Sequence, residues 1–176
     1  MSRTEILFSG FGGQGVVLAG RMLGYAAVLA ELTATMLVSH GTETRGGYVR
    51  SQVIIADEQI DSPVVERADV FGAFSQAAYV RFLPLVSEGV VLYDPVLVTV
   101  ERTGNRPEQL AVPALTLALE KLGSELFMNI IMLGAALQRI ERIAPEFALQ
   151  SVRELSPRNP EKNVQALELG YNLKLC

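Results

Sequence analysis

Glu5-Ile6-Leu7-Phe8-Ser9-Gly10-Phe11-Gly12-Gly13-Gln14-Gly15-Val16-Val17-Leu18 sets a short apolar run against a glycine-rich turn and then a run of helix formers. From residue 16 to 31, apolar side chains recur at several i, i+3 and i+4 spacings, the period of a helix with a buried face. A second strand is predicted at 35–39, where β-branched and apolar residues follow a small-polar linker. Strand, glycine turn, helix and strand make a βαβ unit. That unit predicts an α/β fold: a single Rossmann-like domain over 1–176, with a mostly parallel sheet flanked by helices.

The remaining chain continues the alternation. Residues 40–47, with three glycines in eight positions, cannot be a helix interior and read as a loop. A strand is predicted at 48–56, a turn at 57–59 and a short extended return at 60–63. Buried strands follow at 70–74 and 90–93, separated by a helix over 76–86 that Pro84 bends or ends. Asp94-Pro95 reads as a turn at the sheet edge where ligands bind in such folds. The last third is helical by propensity, at 114–122, 125–143, 145–154 and 161–169, and its apolar segments are expected to cover the sheet.

Two motifs carry chemistry. Gly10-Phe11-Gly12-Gly13-Gln14-Gly15 is a G-x-G-x-x-G placed after a strand and opening a helix. Glycine permits a tight turn and close approach of the main chain to a ligand, and the free N–H groups of a helix start favour an anion such as phosphate. A dinucleotide site of this type has an acidic residue about 20 positions on; Ser39-His40 stands there instead, which weakens nicotinamide dinucleotide binding. The alternative is mechanical, the glycines serving only to let the first helix pack tightly on the sheet.

The second motif is Thr42-Glu43-Thr44-Arg45-Gly46-Gly47. An arginine followed by two glycines presents a guanidinium fork beside accessible N–H groups, which suits phosphate, carboxylate or a partner's acidic side chain. A contact between Arg45 and Glu43 that merely orders the loop is the other reading. By Rossmann topology both loops leave one sheet edge and face one crevice. Its candidate ligand residues are Gly10, Gly12, Gly13, Gln14, Gly15, Thr42, Glu43, Arg45, Gly46 and Gly47. His40 and Asn129 are candidates behind them, although a buried amide bonded to main chain and a structural histidine are the commoner roles.

Composition removes several function classes. A net charge of −4 and a pI near 5.1, with no basic run, argue against nucleic-acid binding. Apolar stretches are interrupted or fall short of the ~20 residues that span a bilayer. Met1-Ser2-Arg3-Thr4 enters a strand without an apolar leader, so a cytoplasmic protein is expected. One cysteine, Cys176, and one histidine, His40, cannot build a disulfide, a zinc cage or an iron–sulfur ligand set. No catalytic residue and no metal site are assigned.

The order of FSGFGGQGVVLAGRMLGYAA, ETRGG, SQVIIADEQIDSPVVERADVFGAFSQAA and NIIMLGAAL, spread from Ile6 to Leu137, resembles the gamma subunits of 2-oxoacid:ferredoxin oxidoreductases and the matching domain of their fused forms. The resemblance implies a non-catalytic subunit of an enzyme that oxidatively decarboxylates a 2-oxoacid to an acyl-CoA and reduces ferredoxin. Thiamine diphosphate and iron–sulfur clusters are then expected on alpha, beta and ferredoxin-like delta subunits, and coenzyme A is the ligand candidate for this chain. GTETRGG looks closer to the 2-oxoglutarate and pyruvate types than to the indolepyruvate type. High apolar content suggests large interfaces, which an isolated preparation would hide by forming a homodimer. The competing readings are a stand-alone nucleotide-binding oxidoreductase and a pure interaction module.

Overall fold

The computed structural model describes residues 3–41, 47–101 and 107–175. Its strands are β1 (Arg3–Phe11), β2 (Thr33–His40), β3 (Tyr48–Ala56), β4 (Val70–Ala73), β5 (Val90–Tyr93) and β6 (Glu108–Ala111). They form one sheet in the order β2-β3-β1-β4-β5-β6. The pairings β1–β4, β4–β5 and β5–β6 are parallel, and β3 runs antiparallel to both β1 and β2. The expected βαβ unit is therefore present but opened, with β3 lying between its two strands. The connection explains it: seven residues join His40 to Tyr48, enough for a hairpin return and too few for a crossover to a parallel strand. Gly41 N–H donates to Tyr48 O at 2.8 Å and closes the base of that hairpin.

Helices α1 (Val16–Leu29), α3 (Ala114–Leu117), α4 (Met128–Leu137), α5 (Pro145–Leu155) and α6 (Pro160–Tyr171) build one layer, and α2 (Gln76–Phe82) lies on the opposite face. Two apolar clusters result, one around Ile6, Phe8, Val53, Met22 and Ile131, the other around Leu7, Ile54, Phe71, Tyr79 and Phe82. Strands β4 and β5 are buried at every position because both their faces are covered. All ten residues of α4 are buried as well, as expected for its NIIMLGAAL run. No helix among the described residues is long and apolar enough to cross a membrane.

Local chemistry sets the boundaries. Ser75 caps α2, its hydroxyl accepting from Ala78 N–H at 3.2 Å. That helix stops at Phe82 rather than 86 and tightens into a 3-10 turn, Leu83–Leu85, where Pro84 lacks a donor. Helix α5 starts on Pro145 with Glu146 in its first turn and Arg153 in its last, which suits the helix dipole. The helix expected over 125–143 begins as a 3-10 turn, Glu125–Phe127, and ends at Leu137. The extended return expected at 60–63 is not a strand. The segment after β3 is held by side chains instead, with Glu5 Oε2 accepting from Glu66 N–H at 2.8 Å and Gln52 Oε1 from Val65 N–H at 3.0 Å. Strand β6 has no counterpart in the sequence reading, since only Leu110 of its four residues is fully buried.

Candidate functional site

Strand β1 ends at Phe11, and the chain turns through Gly12 to Gly15 into α1. Gln14 braces the turn. Its Oε1 accepts from Phe11 N–H at 2.6 Å and its Nε2 donates to Phe74 O at 2.8 Å, so one side chain ties the ends of β1 and β4 together. Both ends of that amide are occupied by main chain, which makes Gln14 a support for the turn.

The glycines divide into two kinds. A Cβ on Gly10 would lie 2.5 Å from Phe74 Cβ, and one on Gly15 2.3 Å from Asn129 Nδ2, so the chain itself fills those spaces. Gly15 also sits at φ 75° as the N-cap of α1 with no side-chain cap. Gly12 and Gly13 have nothing within 4 Å of a built Cβ. The glycines thus differ by position: Gly10 and Gly15 allow tight packing, and Gly12 and Gly13 leave main chain open. The N–H groups of the first turn of α1 have no intrahelical acceptors, which leaves an electropositive helix start beside the open glycines.

Asn129, at the start of α4, is 3% exposed. Its Nδ2 donates to Gly15 O at 3.2 Å, and its Oδ1 is buried without a hydrogen-bond partner. It therefore fixes the glycine turn against α4 from a position 114 residues away in sequence. His40 is exposed at the end of β2.

Clefts open on both sides of the turn. The larger, of about 590 Å³, runs from Gly12, Gly13 and Gln14 past Leu97, Leu115 and Asn129 to Ser156, Arg158 and Asn159 before α6 and Asn163 in its first turn. The other, of about 500 Å³, is lined by Gly12 and Gly13 together with His40, Val49 and Arg21. Thr42, Glu43, Arg45 and Gly46 lie outside the described residues. The flanking Gly41 and Gly47 sit at the sheet edge where β1 also ends, because Phe11 pairs with Tyr48. Arg21, Arg158 and Asn159 were not singled out from the sequence. Asn159-Pro160 signals a helix start, but only the folded chain brings that turn to the glycines.

Comparison with known proteins gives a consistent picture. The pyruvate ferredoxin/flavodoxin oxidoreductase family model matches residues 5–173. The chain is 38% identical to the 2-oxoglutarate synthase subunit KorC of Methanocaldococcus jannaschii, covering 97% of this chain and 94% of that one. The gamma subunit of a keto/oxoacid ferredoxin oxidoreductase from Geobacter sulfurreducens superposes with a TM-score of 0.84 at 34% identity, with 96% of each chain covered. The 2-oxoglutarate:ferredoxin oxidoreductase of Magnetococcus marinus, solved with 2-oxoglutarate, coenzyme A and succinyl-CoA bound, shares the fold. There the TM-score is 0.83 at 22% identity, over 99% of this chain and 32% of that one.

Proposed function

Because this chain belongs to the pyruvate ferredoxin/flavodoxin oxidoreductase family, we propose that it works as the gamma-type subunit of a cytoplasmic 2-oxoacid:ferredoxin oxidoreductase. The full-length likeness to gamma-type chains carries this reading. The enzyme decarboxylates a 2-oxoacid oxidatively, forms an acyl-CoA and passes electrons to ferredoxin, and this chain takes part as one domain spanning 1–176. A single cysteine is too few to ligate a cluster, so in this reading the clusters belong to the partner subunits, and the family resemblance assigns thiamine diphosphate to them as well. The 2-oxoglutarate synthase subunits among its relatives make 2-oxoglutarate the first substrate to test.

In this reading the chain holds a phosphate-bearing part of coenzyme A against Gly12 and Gly13, at the start of α1. Their main chain is open and the helix dipole favours an anion. Arg45 in the neighbouring loop supplies the charged contact. Gly12→Ala keeps an allowed backbone and meets no neighbour, so the subunit should fold and assemble normally while its methyl group fills the ligand's approach. The expected result is a rise in apparent KM for coenzyme A of about tenfold, equivalent to ~1.4 kcal/mol. Arg45→Ala should cost about 1.5–3 kcal/mol of coenzyme A affinity. Unchanged KM values in normally assembled enzyme would sink the coenzyme A assignment.

The subunit assignment is tested by isolating the tagged chain anaerobically from its own cells. The bound proteins are identified, and oxoacid- and coenzyme-A-dependent reduction of a low-potential acceptor is assayed. Thiamine- and cluster-bearing partners with that activity are expected; a chain recovered alone would refute the assignment.

A further inference from the structure

β2 and β6 are the two edges of the sheet, and they are finished differently. β6 is four residues long and begins with Glu108, which Arg139 meets at 3.1 Å. Shortness and charge are common ways of blunting an edge. β2 has eight residues in unbroken register with β3. It contains no proline, glycine, lysine or carboxylate. Its outer row of main-chain donors and acceptors faces no strand among the described residues, and Met36, Leu37 and Val38 are only half-buried.

Between this edge and α1 runs a groove of about 240 Å³, bordered by Arg21, Gly24, Tyr25, Val28, Ala34 and Met36. Gly24 lies mid-helix, where glycine is less favourable than alanine. A Cβ there would meet nothing within 4 Å, whereas one on Gly20, a turn earlier, would come within 1.9 Å of Ser51 Oγ. Nothing among the described residues requires Gly24; a main chain arriving from outside would. Val28 beside it is 55% exposed. The Tyr25 hydroxyl donates to the Glu154 carboxylate, which holds that carboxyl below its ordinary range and engages both groups. Arg21 is the one charged residue bordering the groove, and it has no hydrogen bond or ion pair with any described residue.

An apolar edge and a cation that find no partner among the described residues, with a helix that has room beside it, define their complement by chemistry. We propose that the free edge of β2 takes up a β-strand from another subunit of the same enzyme, apolar along its length and carrying an Asp or Glu side chain that pairs with Arg21. The sheet then continues across the subunit interface. A second copy of this chain fits less well. Its β2 has no carboxylate to offer, and two-fold pairing of the edges places both copies of α1 on one side of the joined sheet, bringing two Arg21 guanidiniums to the same junction. The proposal rests on the gamma-subunit reading.

The test compares amide hydrogen exchange in the isolated chain and in the co-expressed complex. Assembly should slow exchange within β2 at least tenfold. Gly24→Leu and Arg21→Glu should each weaken association with the partner subunits at least tenfold, with the circular dichroism and Tm of the isolated variants undiminished. Exchange in β2 that is unchanged in an assembled complex would overturn the proposal and leave the subunit assignment standing. Protection that instead grows with the concentration of the isolated chain would overturn the choice of occupant in favour of a second copy. A chain that assembles with nothing would overturn both.

Discussion

Gly170→Ala is expected to lower the stability of this chain by about 3 kcal/mol, the upper part of the usual range for an overpacked core, and Tm by about 6–12 °C. Helices α4 and α6 cross in main-chain contact. A Cβ on Gly170 would stand 1.9 Å from Ile131 O and 2.9 Å from Ala135 N, and one on Gly134 would stand 2.3 Å from Leu167 O. These neighbours are backbone atoms inside helices, which cannot swing aside as a side-chain tip does. The methyl group is accommodated only if α6 moves away from α4, taking Ala166 and Leu167 out of the core and pulling Gly170 O from the Gln138 Nε2 that donates to it at 2.8 Å. Gly24→Ala in α1 is the control. It meets no neighbour, so the helix propensity gain of roughly 1 kcal/mol should appear as added stability. Chemical denaturation of the two variants should therefore move in opposite directions. Gly134→Ala combined with Gly170→Ala should cost less than the sum of the two, because one separation of the helices relieves both clashes. An unchanged Tm for Gly170→Ala would mean that the crossing is looser than these distances imply.

These glycines also show what was legible in the sequence. The strand–turn–helix opening, the alternating strand 48–56, the buried strands expected at 70–74 and 90–93 and the apolar α4 all carry strong periodic or composition signals, and each is found, the strand from Val70 ending one residue early at Ala73. The position of β3 between β1 and β2 is not a local property; it follows from a hairpin whose shortness is visible only once both flanking strands are accepted. β6 is invisible because a short edge strand buries a single residue and so carries no pattern. At the site, the glycine turn was legible as a motif, yet its division into packing glycines and open glycines depends on Phe74 and Asn129, which arrive from distant segments. The same holds for Arg158 and Asn159 across the larger cleft. Sequence proximity locates a turn, and tertiary neighbours decide what that turn is free to do.

Asp94→Ala is expected to cost about 3 kcal/mol and to disturb the larger cleft together with the fold. Asp94 follows β5 directly and is fully buried. Its Oδ1 accepts from Val96 N–H at 2.8 Å and its Oδ2 from Leu115 N–H at 2.7 Å, while its main-chain O accepts from Val98 N–H at 2.9 Å. One carboxylate thus shapes the turn after β5 and anchors the start of α3. Hydrogen bonds to a charged group contribute about 1.5–3 kcal/mol each, and alanine would leave two N–H groups without their acceptor. Asp94→Asn should recover only part of the loss, since an amide presents one acceptor oxygen and turns an NH2 group toward the second donor. Leu115, whose N–H this carboxylate holds, and Leu97, in the turn it shapes, are wall residues of the cleft beside Gly12 and Gly13. In assembled enzyme kept below its unfolding temperature, Asp94→Ala should therefore also change the apparent KM for coenzyme A if that cleft holds the ligand. A lowered Tm with an unaltered KM would place the ligand in the other cleft, which Gly12 and Gly13 line with His40 and Arg21.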